Sequence, residues 1–163
     1  MDVIGKFEKE YEFLSNFYTS PFSVNIQHLK FNIFPDMTIV NFKTVEHFYQ
    51  AFKAANSNEF TKVILANTPS KAKQLGRRVQ LRKDFDKIKL RVMYIGCFLK
   101  FEENPILKQK LVSTGTAKLV EGNWWHDNYW GDCYCSKCQN TVGQNQLGQA
   151  LMTIRDLYIK GEF

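Results

Sequence analysis

The longest helical repeat in the sequence lies near the middle of the chain. Apolar residues there alternate spacings of three and four positions: Phe85, Ile88, Val92, Ile95 and Leu99. This periodicity predicts an amphipathic helix from about Asp84 to Glu103, which must stop before Pro105 because proline disfavours a helical residue ahead of it. The same kind of evidence predicts further helices at 44–56, 58–67, 69–76, 105–115 and 145–160.

Strand-like segments lie mainly near the N-terminus. "FSVNIQHLKFNIF" (22–34) and "MTIVNF" (37–42) are rich in β-branched and aromatic residues, and Pro21 and the pair Pro35–Asp36 interrupt them. Segment 116–122 predicts either a strand or a turn of helix, and 122–144 predicts one long loop. The sequence therefore predicts an α+β fold, with a single compact, helix-rich domain over 1–163 and a small N-terminal antiparallel β portion.

Composition and charge narrow the class of protein. The 163 residues are 44% hydrophobic and 15% aromatic, which excludes a disordered chain. The net charge of +6 favours anionic partners such as phosphate esters, nucleotides or nucleic acid. No apolar run reaches the roughly 18 residues of a transmembrane helix, and the N-terminus lacks the pattern of a signal peptide. We therefore expect a cytoplasmic protein with reduced cysteines and no membrane partner.

A dense group of cysteines lies inside the predicted long loop. Cys133, Cys135 and Cys138 follow one another closely, and His126 precedes them by seven positions. Three thiolates and an imidazole are a ligand set that can hold a tetrahedral zinc ion. The alternative is a set of reduced thiols in a tight turn, and the spacing alone leaves both interpretations open.

The segment "TVEHFYQAFKAA" (44–55) predicts an amphipathic helix with an acidic first turn. Thr44 is well placed to cap it, and Val45, Phe48, Phe52 and Ala55 form its apolar stripe. Glu46 then either complements the helix dipole or serves as a catalytic carboxylate. Lys53 follows seven positions later, so a continuous helix would project both side chains from nearly the same face.

Two further segments suit a nucleotide-like ligand. Arg77 and Arg78 end a predicted helix and can grip a phosphate, although a solvated basic face explains them equally well. Downstream, the rings of "WWHDNYWGD" surround carboxylates, as in a pocket that stacks a planar base or stabilises a cationic transition state. A loop anchored to the core by its rings is the alternative. Asp127 in this segment could pair with Glu46 for cleavage of a glycosidic bond.

Several motifs together resemble one known family. "FLSNFY", "TVEHFYQAFK", "AKQLGRR", "LKFEENPILKQKLVSTGTAKLVE", "DNYWGD" and "GQNQLGQALMTIR" occur in the order typical of the NADAR, or YbiA-like, family and cover roughly residues 6–157. The resemblance implies a compact, helix-rich α+β domain of YbiA-like fold with N-glycosidase activity. The substrates it implies are phosphorylated early intermediates of riboflavin biosynthesis, or ADP-ribosylated guanine in nucleic acid or nucleotides.

The resemblance also implies a set of site residues. Glu46 matches the catalytic glutamate, with Asp127 and Lys53 assisting it. The residues implied to bind substrate are Asn16, Phe17, Arg77, Arg78, Phe85, Tyr129, Trp130 and Gly131. The chain departs from the family pattern at Phe85, where riboflavin-pathway members carry tryptophan, and at the cysteines, which replace a Gly-rich turn. The neighbouring His47 is expected to be a packed or capping imidazole.

The function predicted is therefore hydrolysis of the N-glycosidic bond of a ribosylated, phosphate-bearing base. The chemistry requires no cofactor, and any zinc at Cys133, Cys135, Cys138 and His126 would be structural. The expected partner is a small nucleotide-like substrate or ADP-ribosylated nucleic acid, and the sequence predicts no oligomeric state. The alternative is a non-catalytic, zinc-stabilised module that binds nucleotides or nucleic acid through its arginines and rings.

Overall fold

The computed structural model of the protein describes residues 2–31, 34 and 36–162. Pro35, the predicted break between two strands, lies outside the described residues, as do Asn32 and Ile33 of the first predicted strand. The α-helices of the described chain are α1 Val45–Ala51, α2 Ser57–Ile64, α3 Pro69–Gly76, α4 Phe85–Glu102, α5 Pro105–Ser113 and α6 Gln146–Lys160. None of the helices in these residues is long and apolar enough to cross a membrane.

The strands are short and occur in three pairs. β1 (Val3–Ile4) pairs in parallel with β4 (Lys118–Leu119), and β5 (Gly122–Asn123) pairs in parallel with β6 (Asp132–Cys133). The antiparallel pair is β2 (Phe22–Asn25) with β3 (Ile39–Phe42). The predicted α+β class is confirmed. The predicted small antiparallel portion corresponds to β2 and β3.

The predicted strand over 22–34 is wrong over Ile26–Leu29. The chain there turns into a 3-10 helix, Ile26–Leu29, because the Asn25 side chain accepts a hydrogen bond from the Gln27 backbone N–H and caps it. Lys30 then adopts a left-handed conformation with φ of 54°. Asparagine competes in this way with a strand ladder that its neighbours would otherwise favour.

Two compact units make up the chain. The first contains the described residues up to Ser15 and from Pro105 onward, and the second contains Asn16–Asn104. Accordingly, the second unit holds β2, β3 and α1 to α4, and the first holds the other strands with α5 and α6. The single domain over 1–163 stays a prediction.

The core of the second unit is largely phenylalanine. Phe42, Phe48, Phe52 and Phe60 are almost fully buried, and their ring centroids lie 4.5 to 6.4 Å apart. Tilted and edge-to-face pairs of this kind contribute about 0.5–1.5 kcal/mol each beyond the burial of their area. These rings come from β3, α1, α2 and the residue that caps α1, so they fix α1 in place.

Two predicted apolar stripes in the second unit are partly wrong. Ala55 is exposed because α1 ends at Ala51. Two residues of the predicted α4 stripe, Phe85 and Val92, are buried, whereas Ile88, Ile95 and Leu99 are only half-buried. The other buried positions of α4 are Met93, Gly96, Cys97, Lys100 and Phe101. Gly96 explains the rotation, since a Cβ there would lie 2.8 Å from the Phe48 ring, so α4 packs on α1 through its smallest residue.

The first unit is organised around α6. Its buried face carries Leu147, Leu151, Ile154 and Tyr158, and Gly161 ends the helix with φ of 70°. The prediction of a structureless loop over 122–144 is wrong. That segment contains β5, β6 and a 3-10 helix, Ser136–Cys138, because side-chain amides and carboxylates bond its backbone groups.

Candidate active site

The first turn of α1 is buried on every side. Thr44 caps it by accepting a hydrogen bond from the His47 backbone N–H, as predicted. The Glu46 backbone N–H donates to the Asn16 carbonyl oxygen at 3.0 Å, which joins the start of the helix to the segment before β2. All seven residues of α1 are buried, so its acidic first-turn residue cannot extend into water.

Glu46 is a buried carboxylate that accepts a hydrogen bond from a neighbouring side chain of α1. Its side chain is 5% exposed, and the Gln50 side-chain amide donates to Oε1 at 2.8 Å. Burial raises the pKa of Glu46 above its ordinary value of 4.5, while the bond from Gln50 and the charge of Lys73 oppose that rise. A carboxyl group in such surroundings is suited to exchange protons nearer neutrality than an exposed glutamate.

Three cations act on Glu46 electrostatically. They are Lys73, Lys53 and Arg77, in decreasing order of effect. Lys53 lies in the turn after α1, which is shorter than predicted, and burial lowers its pKa while the charge of Glu46 raises it. Lys53 and Glu46 therefore interact, although they do not belong to one continuous helix.

Aromatic rings lie beneath two of these cations. The Lys53 Nζ lies 5.1 Å from the centroid of the Tyr49 ring and 5.8 Å from that of Phe85. Tyr49 and Phe85 themselves pack edge-to-face at 5.5 Å. The Lys73 Nζ lies 5.4 Å from the centroid of the Phe17 ring. Cation–π contacts hold both ammonium groups over apolar surface.

Gln50 and Gly76 form a second layer behind Glu46. A Cβ on Gly76 would overlap the Oε1 atom of Gln50 and would lie 2.8 Å from its Cβ, so only glycine lets α3 approach this closely. Gln50 is 4% exposed, and its Oε1 is a buried acceptor to which no group of the described residues donates. The position of Gln50, and with it the donor to Glu46, depends on Gly76.

The His47 imidazole is held in place by hydrogen bonds at both ring nitrogens. Its Nε2 lies 3.1 Å from the Ala66 carbonyl oxygen, and its Nδ1 lies 2.8 Å from the Thr44 hydroxyl. Because a carbonyl only accepts, Nε2 carries the proton and Nδ1 accepts from the hydroxyl, which assigns the neutral tautomer. Burial lowers the pKa of His47, in agreement with that assignment.

The predicted site residues of the first unit lie in a tightly bonded turn. The Asp127 Oδ1 accepts backbone N–H groups of Tyr129 at 3.1 Å and Trp130 at 2.8 Å. The carbonyl oxygens of Tyr129, Trp130 and Gly131 accept from backbone N–H groups at the start of α6. A Cβ on Gly131 would overlap the Glu121 carbonyl oxygen. This turn therefore also caps α6.

The four predicted metal ligands meet in the same unit. One ligand atom from each of His126, Cys133, Cys135 and Cys138 lies within 4.8 Å of all the others. The His126 Nδ1 is 3.1 Å from the Cys135 Sγ and 3.4 Å from the Cys138 Sγ. The cluster is thus compatible with a bound metal ion.

A model of the NADAR domain family matches residues 4–158. The chain belongs to the NADAR domain family. The resemblance inferred from the motifs is thereby confirmed. The match extends over nearly the whole chain and includes both Glu46 and the turn at Asp127.

Curated relatives of this NADAR chain carry enzyme names. It is 38% identical over 85 residues to an N-glycosidase of Nostoc punctiforme and 35% identical over 80 residues to the N-glycosidase YbiA of Escherichia coli. These alignments cover 49% and 48% of the chain and 54% and 50% of the relatives, so the chain spans about half the length of each. A chloroplastic riboflavin biosynthesis protein PYRR of Zea mays is 34% identical over 49% of the chain and 15% of that protein.

The fold of the NADAR chain is also similar to a solved structure. The NMR structure of Escherichia coli YbiA superposes with a TM-score of 0.77 and 28% identity, covering 98% of this chain and 87% of that one. The predicted YbiA-like fold is therefore confirmed. The roles of individual site residues stay predictions.

Contacts join most of the predicted residues of the second unit. Glu46 interacts with Lys53 and Arg77, and the rings of Phe17 and Phe85 lie under lysines of the same group. The Asn16 side chain is instead directed to α4, where its Nδ2 lies 3.2 Å from the Met93 Sδ.

The basic segment divides into exposed and paired arginines. Arg77 and Arg78 are exposed at the end of α3. Arg82 instead pairs with the Asp84 carboxylate. The sequence did not indicate that Gln50, Lys73 and Gly76 lie beside Glu46. The spacing of four residues from Glu46 is the signal that could have identified Gln50.

Proposed function

We propose that this NADAR protein is an N-glycosidase that hydrolyses the bond between ribose and a nitrogenous base in a phosphate-bearing substrate, with Glu46 as its catalytic carboxylate. The observation that carries the proposal is the state of Glu46, which is 5% exposed and held by Gln50 within a group of cations. The N-glycosidase names of two relatives support the same reaction class.

The buried carboxylate suits the proposed chemistry. Breaking a ribosyl C–N bond develops positive charge on the sugar, and an ionised carboxylate stabilises that charge or takes a proton from the attacking water. The water oxygen bonds to C1, and the base leaves with the electron pair of the C–N bond and gains a proton. A glutamate that only complemented the helix dipole could do so at an exposed position and would avoid the desolvation cost that burial imposes on its charge.

The cations near Glu46 are suited to bind the phosphate of the proposed substrate. Lys53, Lys73 and Arg77 face one carboxylate, so the group around Glu46 carries surplus positive charge. Arg77 is exposed at the end of α3, where its guanidinium is available for two parallel hydrogen bonds to phosphate oxygens. The half-buried ring of Phe17 offers apolar surface beside Lys73, on which a planar base can stack. The Phe85 ring is only 5% exposed and supports Lys53 from beneath instead.

Two substrate classes fit this proposal. A phosphorylated ribosylaminopyrimidine of early riboflavin biosynthesis is supported by the match to the riboflavin biosynthesis protein PYRR. An ADP-ribosylated guanine is supported by the net charge of +6, which favours approach to nucleic acid. Both contain a ribosyl C–N bond and phosphate, so the same machinery serves either one.

The test is hydrolysis of both substrates by the wild-type protein and by Glu46→Gln, with base release measured by chromatography. Glutamine keeps the shape and the acceptor for Gln50, so kcat should fall by on the order of 10²–10⁴-fold, as for loss of an acid–base group. The matched control is Glu59→Gln, which alters the first-turn glutamate of α2 and should keep wild-type turnover.

Two outcomes would contradict the proposal. Wild-type turnover by Glu46→Gln would exclude the carboxylate mechanism. Absence of base release from both substrates by the folded wild-type protein would exclude the N-glycosidase activity on these classes.

A further inference from the structure

The cluster of three thiols and one imidazole already has nearly the dimensions of a metal site. In a tetrahedral zinc site with bonds of about 2.3 Å to sulfur and about 2.0 Å to nitrogen, the ligand atoms lie roughly 3.5–3.8 Å apart. Here the Nδ1 of His126 lies 3.1 Å from the Cys135 sulfur and 3.4 Å from the Cys138 sulfur, and all four atoms lie within 4.8 Å of one another. Only small shifts would admit an ion.

Hydrogen bonding alone accounts poorly for this convergence. Thiols are weak donors and weak acceptors, so three of them around one imidazole provide little stabilisation. The cysteines are all free, so no disulfide draws them together. His126 moreover adopts a left-handed backbone conformation with φ of 66°, which is uncommon for any residue other than glycine and needs support from its surroundings.

We propose that His126, Cys133, Cys135 and Cys138 form a structural zinc site that closes the segment 126–138. Three soft sulfur ligands with one imidazole nitrogen in a tetrahedral arrangement favour zinc over harder divalent cations. The ligand set has no open position, so the ion holds structure and takes no part in hydrolysis. The site thus goes beyond the proposed N-glycosidase function and does not depend on it.

The backbone around the cluster supports a thiolate ligand. The His126 backbone N–H donates to the Cys133 sulfur at 3.3 Å, as amides commonly do toward metal-bound sulfur. The Cys133 N–H in turn donates to the Asn128 side chain at 2.9 Å. His126 and Cys133 therefore bracket the turn at Asp127, and an ion bound to both would fix the two ends of that turn.

Metal content tests the proposal directly. The wild-type chain, produced in zinc-containing medium and desalted, should retain about one zinc ion per chain by inductively coupled plasma mass spectrometry. His126→Ala and Cys135→Ser should lose that zinc. His28→Ala and Cys97→Ala are matched controls, because they remove the same side-chain types outside the cluster, and they should retain it. Iron in place of zinc, or equal zinc in cluster and control variants, would overturn the assignment.

A second measurement uses only the wild-type chain, so it tests the site even if the variants fail to fold. The wild-type chain is stripped of metal under reducing conditions and titrated with zinc and, separately, with cobalt. We expect saturation near one equivalent, a rise in Tm with zinc, and the intense visible absorption of tetrahedral cobalt thiolate. A folded, reduced wild-type chain that takes up neither metal would refute the site. These readouts are independent of hydrolysis, so the failure of either proposal is recognised separately.

Discussion

The side-chain amide of Gln50 donates a hydrogen bond of 2.8 Å to the Glu46 carboxylate, one turn earlier on α1. This bond favours the ionised carboxylate, whereas burial favours the protonated one and has the larger effect. Gln50 is in turn confined by Gly76, where any Cβ would collide with its side chain. The protonation of Glu46 is therefore set jointly by α1 and α3.

Glu46→Gln should stabilise the fold near neutral pH by about 0.5–2 kcal/mol, as is common when a functional group is removed. Because burial raises the pKa of Glu46 in the folded state, the contribution of this group to stability is fully present below the ordinary value of 4.5 and is lost as pH rises through the folded-state pKa. Glutamine does not titrate, so the Tm difference between the variant and the wild type should be small at acid pH and grow towards neutrality. A difference that does not depend on pH would contradict the raised pKa.

The charge of Lys73 should set the acid limit of activity. If the ionised form of Glu46 is catalytic, kcat falls as pH drops through the pKa of Glu46. Lys73→Met removes the cation that lowers this pKa most, so the acid limb of the pH–rate profile should move to higher pH. Lys62→Met, which neutralises an exposed lysine of α2, serves as the control and should leave the limb unchanged. A shift of the acid limb to lower pH would contradict the prediction that the charge of Lys73 lowers the pKa of Glu46.

Gln50 should behave as a positioning residue. Gln50→Leu removes the donor that lowers the pKa of Glu46, so kcat should fall and the acid limb should move to higher pH, which a purely structural defect would not cause. Gly76→Ala should displace Gln50, reproduce the shift and cost about 1–3 kcal/mol of stability through overpacking. Gly5→Ala is the control, because a Cβ there meets no atom within 4 Å. An unchanged profile in Gln50→Leu would exclude the positioning role.

Local signals in the sequence predicted the helices well. Thr68 caps α3, Pro69 opens it and Gly76 ends it, since each of these preferences acts within one turn. The errors have long-range causes. The buried face of α4 is set by the contact between Gly96 and Phe48, and the bonds that order 122–144 are not visible as periodicity.

The candidate site, like the fold, could be predicted from the sequence only in part. Glu46 and Lys53 came from a family motif, because an acidic first turn is by itself ambiguous. Lys73 belongs to α3, and only the packing of α3 on α1 brings its charge close enough to affect Glu46. The four residues proposed to bind zinc, in contrast, were recognisable from residue type and spacing, since tetrahedral metal sites commonly use cysteines and histidines at such short spacings.

Thr44 should contribute more to stability than an ordinary helix cap. Its hydroxyl accepts the His47 backbone N–H at 3.2 Å and lies 2.8 Å from the His47 Nδ1, to which it donates in the assigned tautomer. Thr68 is the matched control, because it caps α3 through the Lys71 N–H and is exposed. Thr68→Val should cost about 0.5–2 kcal/mol in urea denaturation, the usual value of a cap. Thr44→Val should cost about 1–3 kcal/mol more, since it leaves a buried imidazole acceptor unsatisfied. Equal losses would mean that the hydroxyl does not hold His47 in the neutral form.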